Sequence, residues 1–152
     1  MRVWDVEGGA AARPAVDGHK RDVTSLACFD DGRCIVTGSE DGTLLVWDVV
    51  KGGAPLLKLE GHAGEVYSIA CHGEGNARRI VSGGDDKLVL VWDAVAGGAP
   101  LLKLEGHTDR VLAIACHGAG DGWRYVSGGD DKALRVWDGV RGGAPRLTPQ
   151  GH

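Results

Sequence analysis

The sequence predicts an all-β protein made of repeated units of four short antiparallel strands. Two dipeptides recur with the same period: Trp-Asp pairs begin at positions 4, 47, 92 and 137, and Gly-His pairs begin at positions 18, 61, 106 and 151. The steps between successive tryptophans are 43, 45 and 45 residues. Self-similarity at a period in the forties is the signature of an array whose units stack on one another.

Each unit contains four short apolar runs separated by Gly, Asp, Asn or Pro, which is a strand pattern. No segment has a convincing helical period. Two more strands are expected at 2–4 and near 15–17. The predicted strands of the three full units lie at 23–29, 34–37, 44–47 and 56–59; at 66–71, 79–82, 88–92 and 101–104; and at 111–116, 124–127, 134–137 and 146–148.

The order of strands within a unit follows from their side chains. The runs at 44–47 and 89–92 are apolar on both faces, as in a strand that is covered on both sides. Small alternate residues such as Ser68 and Ala70 suit a first strand close to the axis of the array. Charged Lys58 and Lys103 in the fourth strands suit an outer edge.

Gly-His near the start and Trp-Asp near the end of each unit resemble the WD-repeat β-propeller family, and the resemblance covers nearly all 152 residues. It implies a partial propeller with three blades per chain, each a sheet of four antiparallel strands. The expected division is a partial blade at 1–18 that supplies its last two strands, then blade 1 at 19–60, blade 2 at 61–105 and blade 3 at 106–152.

Each full unit also carries a histidine, a serine or threonine, an aspartate and a tryptophan in register. Serine, histidine and aspartate together suggest a hydrolase, but three copies, a threonine in one of them and the lack of a GxSxG elbow favour a structural role. The family resemblance implies a hydrogen-bonded network of these four residues inside each blade. The three structural tetrads are His19, Thr37, Asp41, Trp47; His62, Ser82, Asp86, Trp92; and His107, Ser127, Asp131, Trp137.

The resemblance implies a non-enzymatic scaffold that binds proteins or peptides. The loops beside each histidine and each aspartate turn should share one face, and their residues are mixed in charge and richer in acid, which suits basic partners. The candidate partner-binding residues are Lys20, Arg21, Asp22, Glu40, Glu65, Asp85, Thr108, Asp109, Arg110 and Asp130.

An alternative function is a repeat protein that binds a small molecule or a glycan at one site per blade. Nearly identical repeats, such as GGAPLLKLEGH at 52–62 and 97–107, favour this alternative. Outside the Trp-Asp positions, the aromatic residues that such sites need are scarce, and Tyr67 and Trp123 are the exceptions.

Composition argues against several other classes. The net charge is −4 with no basic run, which disfavours nucleic-acid binding. No apolar stretch reaches the roughly 18 residues that a membrane span needs, and the first residues lack the apolar segment of a secretory signal, so a cytoplasmic protein is expected. Neighbouring Cys71 and His72 point to opposite faces of a strand and are poor co-ligands, so neither a metal nor a cofactor is expected.

Three blades cannot close a ring, and an incomplete ring leaves sheet faces uncovered. The sequence therefore predicts either a homo-oligomer or a fragment of a longer repeat array.

Overall fold

The computed structural model describes residues 18–146, which form eleven β-strands and two short 3-10 turns. The partial blade expected at 1–18 lies outside the described residues except for its last position. The strands are β1 Val23–Phe29, β2 Cys34–Ser39, β3 Thr43–Asp48, β4 Leu57–Glu60, β5 Val66–His72, β6 Arg79–Gly84, β7 Val89–Asp93, β8 Leu102–Leu104, β9 Val111–His117, β10 Arg124–Gly129 and β11 Leu134–Asp138.

The strands form three antiparallel sheets in which chain neighbours pair, β1-β2-β3-β4, β5-β6-β7-β8 and β9-β10-β11. This confirms the predicted all-β, four-stranded blade pattern. In the third sheet, the amide of Arg146 donates to the carbonyl of Val136 at 2.7 Å, as Leu56 does to Val46 at the start of the fourth strand of the first sheet. The fourth strand predicted at 146–148 otherwise falls outside the described residues, and the exact blade bounds stay a prediction.

The turns between the first two strands differ among the sheets. In the first sheet, Asp31 and Gly32 both have positive φ, and Arg33 N donates to Asp30 O at 2.9 Å, which makes a tight hairpin. In the other two sheets the turn is longer and contains a 3-10 turn, Gly75–Ala77 or Gly120–Gly122. Three residues are too few to give a helical period, so sequence periodicity did not predict these turns.

The sheets stack through their first strands, because β1 contacts β5 and β5 contacts β9. The second and third strands of the middle sheet each contribute to two cores. Leu90 and Trp92 belong to the core against the first sheet, whereas Val89 and Val91 belong to the core against the third. This division explains why the Trp-Asp strand is apolar on both faces.

A glycine in each second strand receives the next blade. A Cβ on Gly38 would lie 2.7 Å from Val66 Cγ1 and 2.9 Å from Ile69 Cδ1. A Cβ on Gly83 would lie 2.5 Å from Val111 Cγ1 and 2.8 Å from Ile114 Cδ1, so each glycine forms a recess for a valine and an isoleucine of the following sheet. The equivalent position in the third sheet, Gly128, has no heavy atom of residues 18–146 within 4 Å of its Cβ position.

The outer face of the third sheet is correspondingly open. Leu134 is 39% exposed, whereas its equivalents Leu44 and Val89 are both fully buried. Among residues 18–146 the third sheet therefore has an unpartnered apolar face, which is the geometry of a partial propeller.

The meander gives the stack two ends. We call the end with the Gly-His loops and the turns between second and third strands the histidine face. We call the end with the turns between first and second strands, and between third and fourth strands, the opposite face.

Candidate functional site: the histidine networks and their face

The middle sheet brings its four predicted tetrad residues together. His62 Nδ1 lies 2.9 and 3.0 Å from the two Asp86 carboxylate oxygens, and His62 Nε2 lies 2.7 Å from Ser82 Oγ. The Trp92 indole N–H donates to Ser82 Oγ at 2.8 Å. The third sheet repeats this arrangement with the same distances, through His107, Ser127, Asp131 and Trp137.

The chemistry of the middle network sets the direction of its hydrogen bonds. A carboxylate only accepts, so the Nδ1–H of His62 donates to Asp86, and Nε2 is left as an acceptor. Ser82 Oγ accepts from the indole and donates to Nε2. Each buried polar group then has a partner, as burial requires.

The serines of these networks are inaccessible. Ser82 is 0% and Ser127 is 1% exposed, and both hydroxyls are occupied by an indole and an imidazole. This arrangement suits a structural tie more than a nucleophile, which must meet its substrate.

The aspartates also fix the loop that follows each histidine. Asp86 accepts from the amide of Ala63 at 3.0 Å, and Asp131 accepts from the amide of Thr108 at 3.0 Å. Burial opposes ionisation of Asp131, but hydrogen bonds from Thr108, Ala133 and His107 outweigh it and lower the pKa of Asp131 to about 2. Burial lowers the pKa of His107, so its imidazole is neutral at physiological pH.

The first sheet departs from this pattern. His19 Nε2 and the Trp47 indole both bond Thr37 Oγ1, at 2.7 and 2.8 Å. His19 Nδ1, however, lies 3.1 Å from Thr43 Oγ1 and 3.4 Å from Asp41. The Thr43 hydroxyl donates to Asp41 at 2.6 Å and so stands between the histidine and the carboxylate. Leucine or alanine occupies the equivalent position in the other sheets, which is why their contact is direct.

The third sheet adds a buried cation that sequence analysis missed. Arg135 is 9% exposed and stands where the other sheets have leucine. Its Nη1 lies 2.7 Å from Asp131 and 2.9 Å from His107 Nδ1. The available signal was the sequence LRVWD, in which arginine occupies an otherwise apolar position of the Trp-Asp strand.

The predicted partner-binding residues lie on the loops and turns of the histidine face. Lys20, Arg21, Asp22, Asp85, Thr108, Asp109 and Arg110 are exposed, whereas Glu40, Glu65 and Asp130 are partly buried. Several charges pair with one another. Arg110 lies 2.6 Å from Asp130, and Arg21 lies 4.0 Å from Glu40.

One group on this face joins two blades. The Tyr67 hydroxyl donates to Glu65 at 2.9 Å, and the Arg110 guanidinium carbon lies 6.0 Å from the centre of the Tyr67 ring. The other aromatic residue singled out from the sequence, Trp123, contacts His72 on the opposite face. The two aromatic residues therefore do not contribute to equivalent sites in successive blades.

Two further features are absent from residues 18–146. No group of three or more histidine, cysteine, aspartate or glutamate side chains there could hold a metal ion. No helix in that part of the chain is long and apolar enough to cross a membrane.

Comparison with protein families places these networks in context. A family described as "WD domain, G-beta repeat" matches residues 13–48, 53–93 and 98–138, which together make up well over half of the chain. The chain belongs to the WD40 repeat family. WD40 repeats are commonly protein-interaction scaffolds.

Solved structures agree with this assignment. The WD40 chain is similar to "Structure of U3-55K" and to "Crystal structure of RRP9 WD40 repeats", each with a TM-score of 0.78 and 26% identity over 90% of this chain. It spans 41% of the length of each of those two chains. No curated protein matches the WD40 chain.

Proposed function

We propose that this WD40 chain is a non-enzymatic scaffold that binds a basic protein or peptide through its histidine face, as part of a larger or oligomeric propeller. The observation that carries the proposal is the attachment of that face to the buried networks. Asp41, Asp86 and Asp131 each accept the backbone amide of the residue after a tetrad histidine, at 2.8, 3.0 and 3.0 Å. The exposed residues of these loops are thereby held in place before a partner arrives, which reduces the entropy cost of binding.

The charge on this surface supports a basic partner. Of the ten residues assigned to it, six are acidic and three are basic. The basic side chains Arg21 and Arg110 lie beside Glu40 and Asp130, so part of the acidic charge is neutralised. Asp22, Asp85 and Asp109 are exposed, and none of them forms a side-chain ion pair within residues 18–146.

The open third sheet supports a larger or oligomeric propeller. Its uncovered apolar residues include Leu134, at 39% exposure, and the recess at Gly128 is empty among the described residues. We also propose a cytoplasmic location, which agrees with the four free cysteines.

A titration with a labelled Lys/Arg-rich peptide tests the binding proposal. The triple variant Asp22→Asn, Asp85→Asn, Asp109→Asn should weaken binding and reduce its salt dependence, because exposed charges act over about one Debye length, about 10 Å at 0.1 M salt. The matched control is Asp31→Asn with Glu74→Gln and Asp121→Asn, three exposed acidic residues on the opposite face. Equal loss of binding in both sets would show that net charge, and not this face, attracts the peptide.

A further inference from the structure

The opposite face contains a cavity that the WD40 pattern does not account for. It lies at the junction of the second and third sheets and has a volume of about 350 Å³. Leu101 and Val140 form part of its lining and are 50% and 57% exposed. The lining also includes His72, Arg79, Trp123 and Tyr125.

The first blade junction has the same groove with different chemistry. That groove has a volume of about 320 Å³ and is lined by Phe29, Cys34 and Arg78 together with aliphatic residues. Phe29 pairs with Cys34 in the first sheet just as His72 pairs with Arg79 in the second. The second junction therefore replaces a phenyl ring and a thiol with an imidazole and a guanidinium.

The aromatic side of the second junction is rigidly held. The His72 ring stacks on Trp123 with a centroid distance of 4.1 Å, and His72 Nε2 lies 3.0 Å from the Tyr125 hydroxyl. Tyr125 in turn donates to the carbonyl of Gly139 at 3.2 Å, so His72 donates through Nε2–H. Nδ1 is then a buried acceptor without a partner among the described residues. Burial, together with Arg79, lowers the pKa of His72 to about 4, so the stacked ring is neutral.

Trp123 also borders a second cavity, of about 490 Å³, which is lined by the turns at 73–77 and 119–120. The two cavities share Trp123 and Gly120. An occupant that fills both must extend past the indole, which suits a segment of polypeptide better than a single small molecule.

The only charged residue in the lining of the first of these cavities is Arg79. Its Nη1 bonds the carbonyl of Arg78 at 2.8 Å and that of Asn76 at 3.4 Å, and lies 3.7 Å from Asp93. None of its contacts within residues 18–146 uses Nε or Nη2. Those two donors favour an anionic group in the cavity, because a guanidinium binds a carboxylate through two parallel hydrogen bonds.

We propose that this junction, on the face away from the histidine loops, binds a partner polypeptide segment that inserts one aromatic side chain beside Trp123 and presents a neighbouring carboxylate to Arg79. Trp123 and Arg79 are partly buried in this concave site, and tryptophan and arginine are among the residues that dominate binding energy at protein interfaces. The site occurs once in the described chain, because Arg78, paired with Asp30 at 2.7 Å, occupies the position of Trp123 at the first junction.

The test uses the full chain and three short blocked peptides, acetyl-Gly-Trp-Glu-Gly-amide and its Trp→Ala and Glu→Gln analogues. Binding is followed by NMR through the indole N–H signal of Trp123, which is assigned with the Trp123→Phe variant. The first peptide should shift this signal, the Ala peptide should not, and the Gln peptide should bind more weakly. Arg79→Gln should lower the affinity for the Glu peptide roughly tenfold or more, as expected for the loss of a charged hydrogen bond. It should leave the affinity for the Gln peptide unchanged.

The matched control is Arg78→Gln at the first junction, which should leave all three affinities unchanged. Asp85→Asn on the histidine face should also have no effect, so that failure of this site is distinguishable from failure of the proposed function. The proposal is overturned if the Glu peptide leaves the Trp123 signal unmoved, or if Arg79→Gln and Arg78→Gln weaken the binding of this peptide equally. It is also overturned if free N-acetyltryptophan binds as tightly as the peptide, which would make the site one for a small aromatic acid.

Discussion

Replacing the recess glycine by alanine should have opposite effects in the second and third sheets. In Gly83→Ala the new methyl group would lie 2.5 Å from Val111 Cγ1 and 2.8 Å from Ile114 Cδ1. Val111 is fully buried between two sheets, so the contact is relieved only by separating the blades. Overpacking of this kind costs about 1–3 kcal/mol of unfolding free energy.

In Gly128→Ala the added methyl group meets no atom within 4 Å, and the backbone there is not in the left-handed region. The substitution then acts on the unfolded chain, whose lost freedom stabilises the native state by about 0.4–1 kcal/mol. Both variants restrict the unfolded chain equally, so the difference between them is the overpacking cost alone, roughly 1–3 kcal/mol.

Urea denaturation followed by circular dichroism measures this difference, at a protein concentration low enough to keep the chain monomeric. The two variants should differ in midpoint and share one slope, since neither changes the surface exposed on unfolding. Gly38→Ala, whose methyl group would lie 2.7 Å from Val66, is a second test of the same clash. Equal destabilisation by Gly128→Ala and Gly83→Ala in the monomer would refute the claim that the third sheet has an empty recess.

Four further variants test the buried networks and the aromatic junction. Asp86→Ala should lower the free energy of unfolding by roughly 1–3 kcal/mol, because it leaves a buried imidazole and an amide unpaired. Asp41→Ala should lower it less, since Thr43 still bonds the histidine of the first sheet. Urea denaturation compares the two variants. Arg135→Leu, which restores the aliphatic residue of the other sheets, should change the free energy of unfolding by less than about 1.5 kcal/mol. Asp131 still accepts hydrogen bonds from His107, Thr108 and Ala133, so its carboxylate is not left unpaired. A loss as large as that of Asp86→Ala would contradict this. The pKa of His72 is lowered from 6.5 to about 4, so its neutral form stabilises the fold above pH 6.5 and this contribution is lost as the pH falls towards 4. The melting temperature of His72→Phe should therefore depend less on pH between 6.5 and 4 than that of the wild type, and identical slopes would contradict the assignment.

The repeat period and the strand pattern were sufficient to predict the blades. The alternation of apolar and polar residues and the positions of turn residues are local features, so the sequence alone indicates where strands lie. The first strand of the first sheet, β1, has the predicted bounds. The second strands run two residues further than predicted, as in Arg79–Gly84, because the two glycines before the aspartate turn still pair with the first strand. Local propensity disfavours glycine in strands, but here the next blade requires the small residue.

The details of the networks and of the second cavity were beyond the reach of sequence analysis. The interposition of Thr43 depends on a small difference in distance, since His19 Nδ1 lies 3.1 Å from Thr43 Oγ1 and 3.4 Å from Asp41. Trp123 and His72 are 51 positions apart and come from different sheets. Only the packing of one blade on the next places them in contact, and no repeat pattern contains that information.

The glycine recess and the valine-isoleucine pair have a consequence for how such arrays change in evolution. In both interfaces between the described sheets, a glycine of one sheet forms a recess that receives a valine and an isoleucine of the next, so the two interfaces are head-to-tail and share this contact. Nothing in such an interface fixes the number of blades in the array. Duplicating or deleting one whole repeat by unequal recombination therefore leaves every remaining valine-isoleucine pair opposite a glycine recess. Whether the first and last blades then meet depends only on the sum of the rotations between successive blades around the axis.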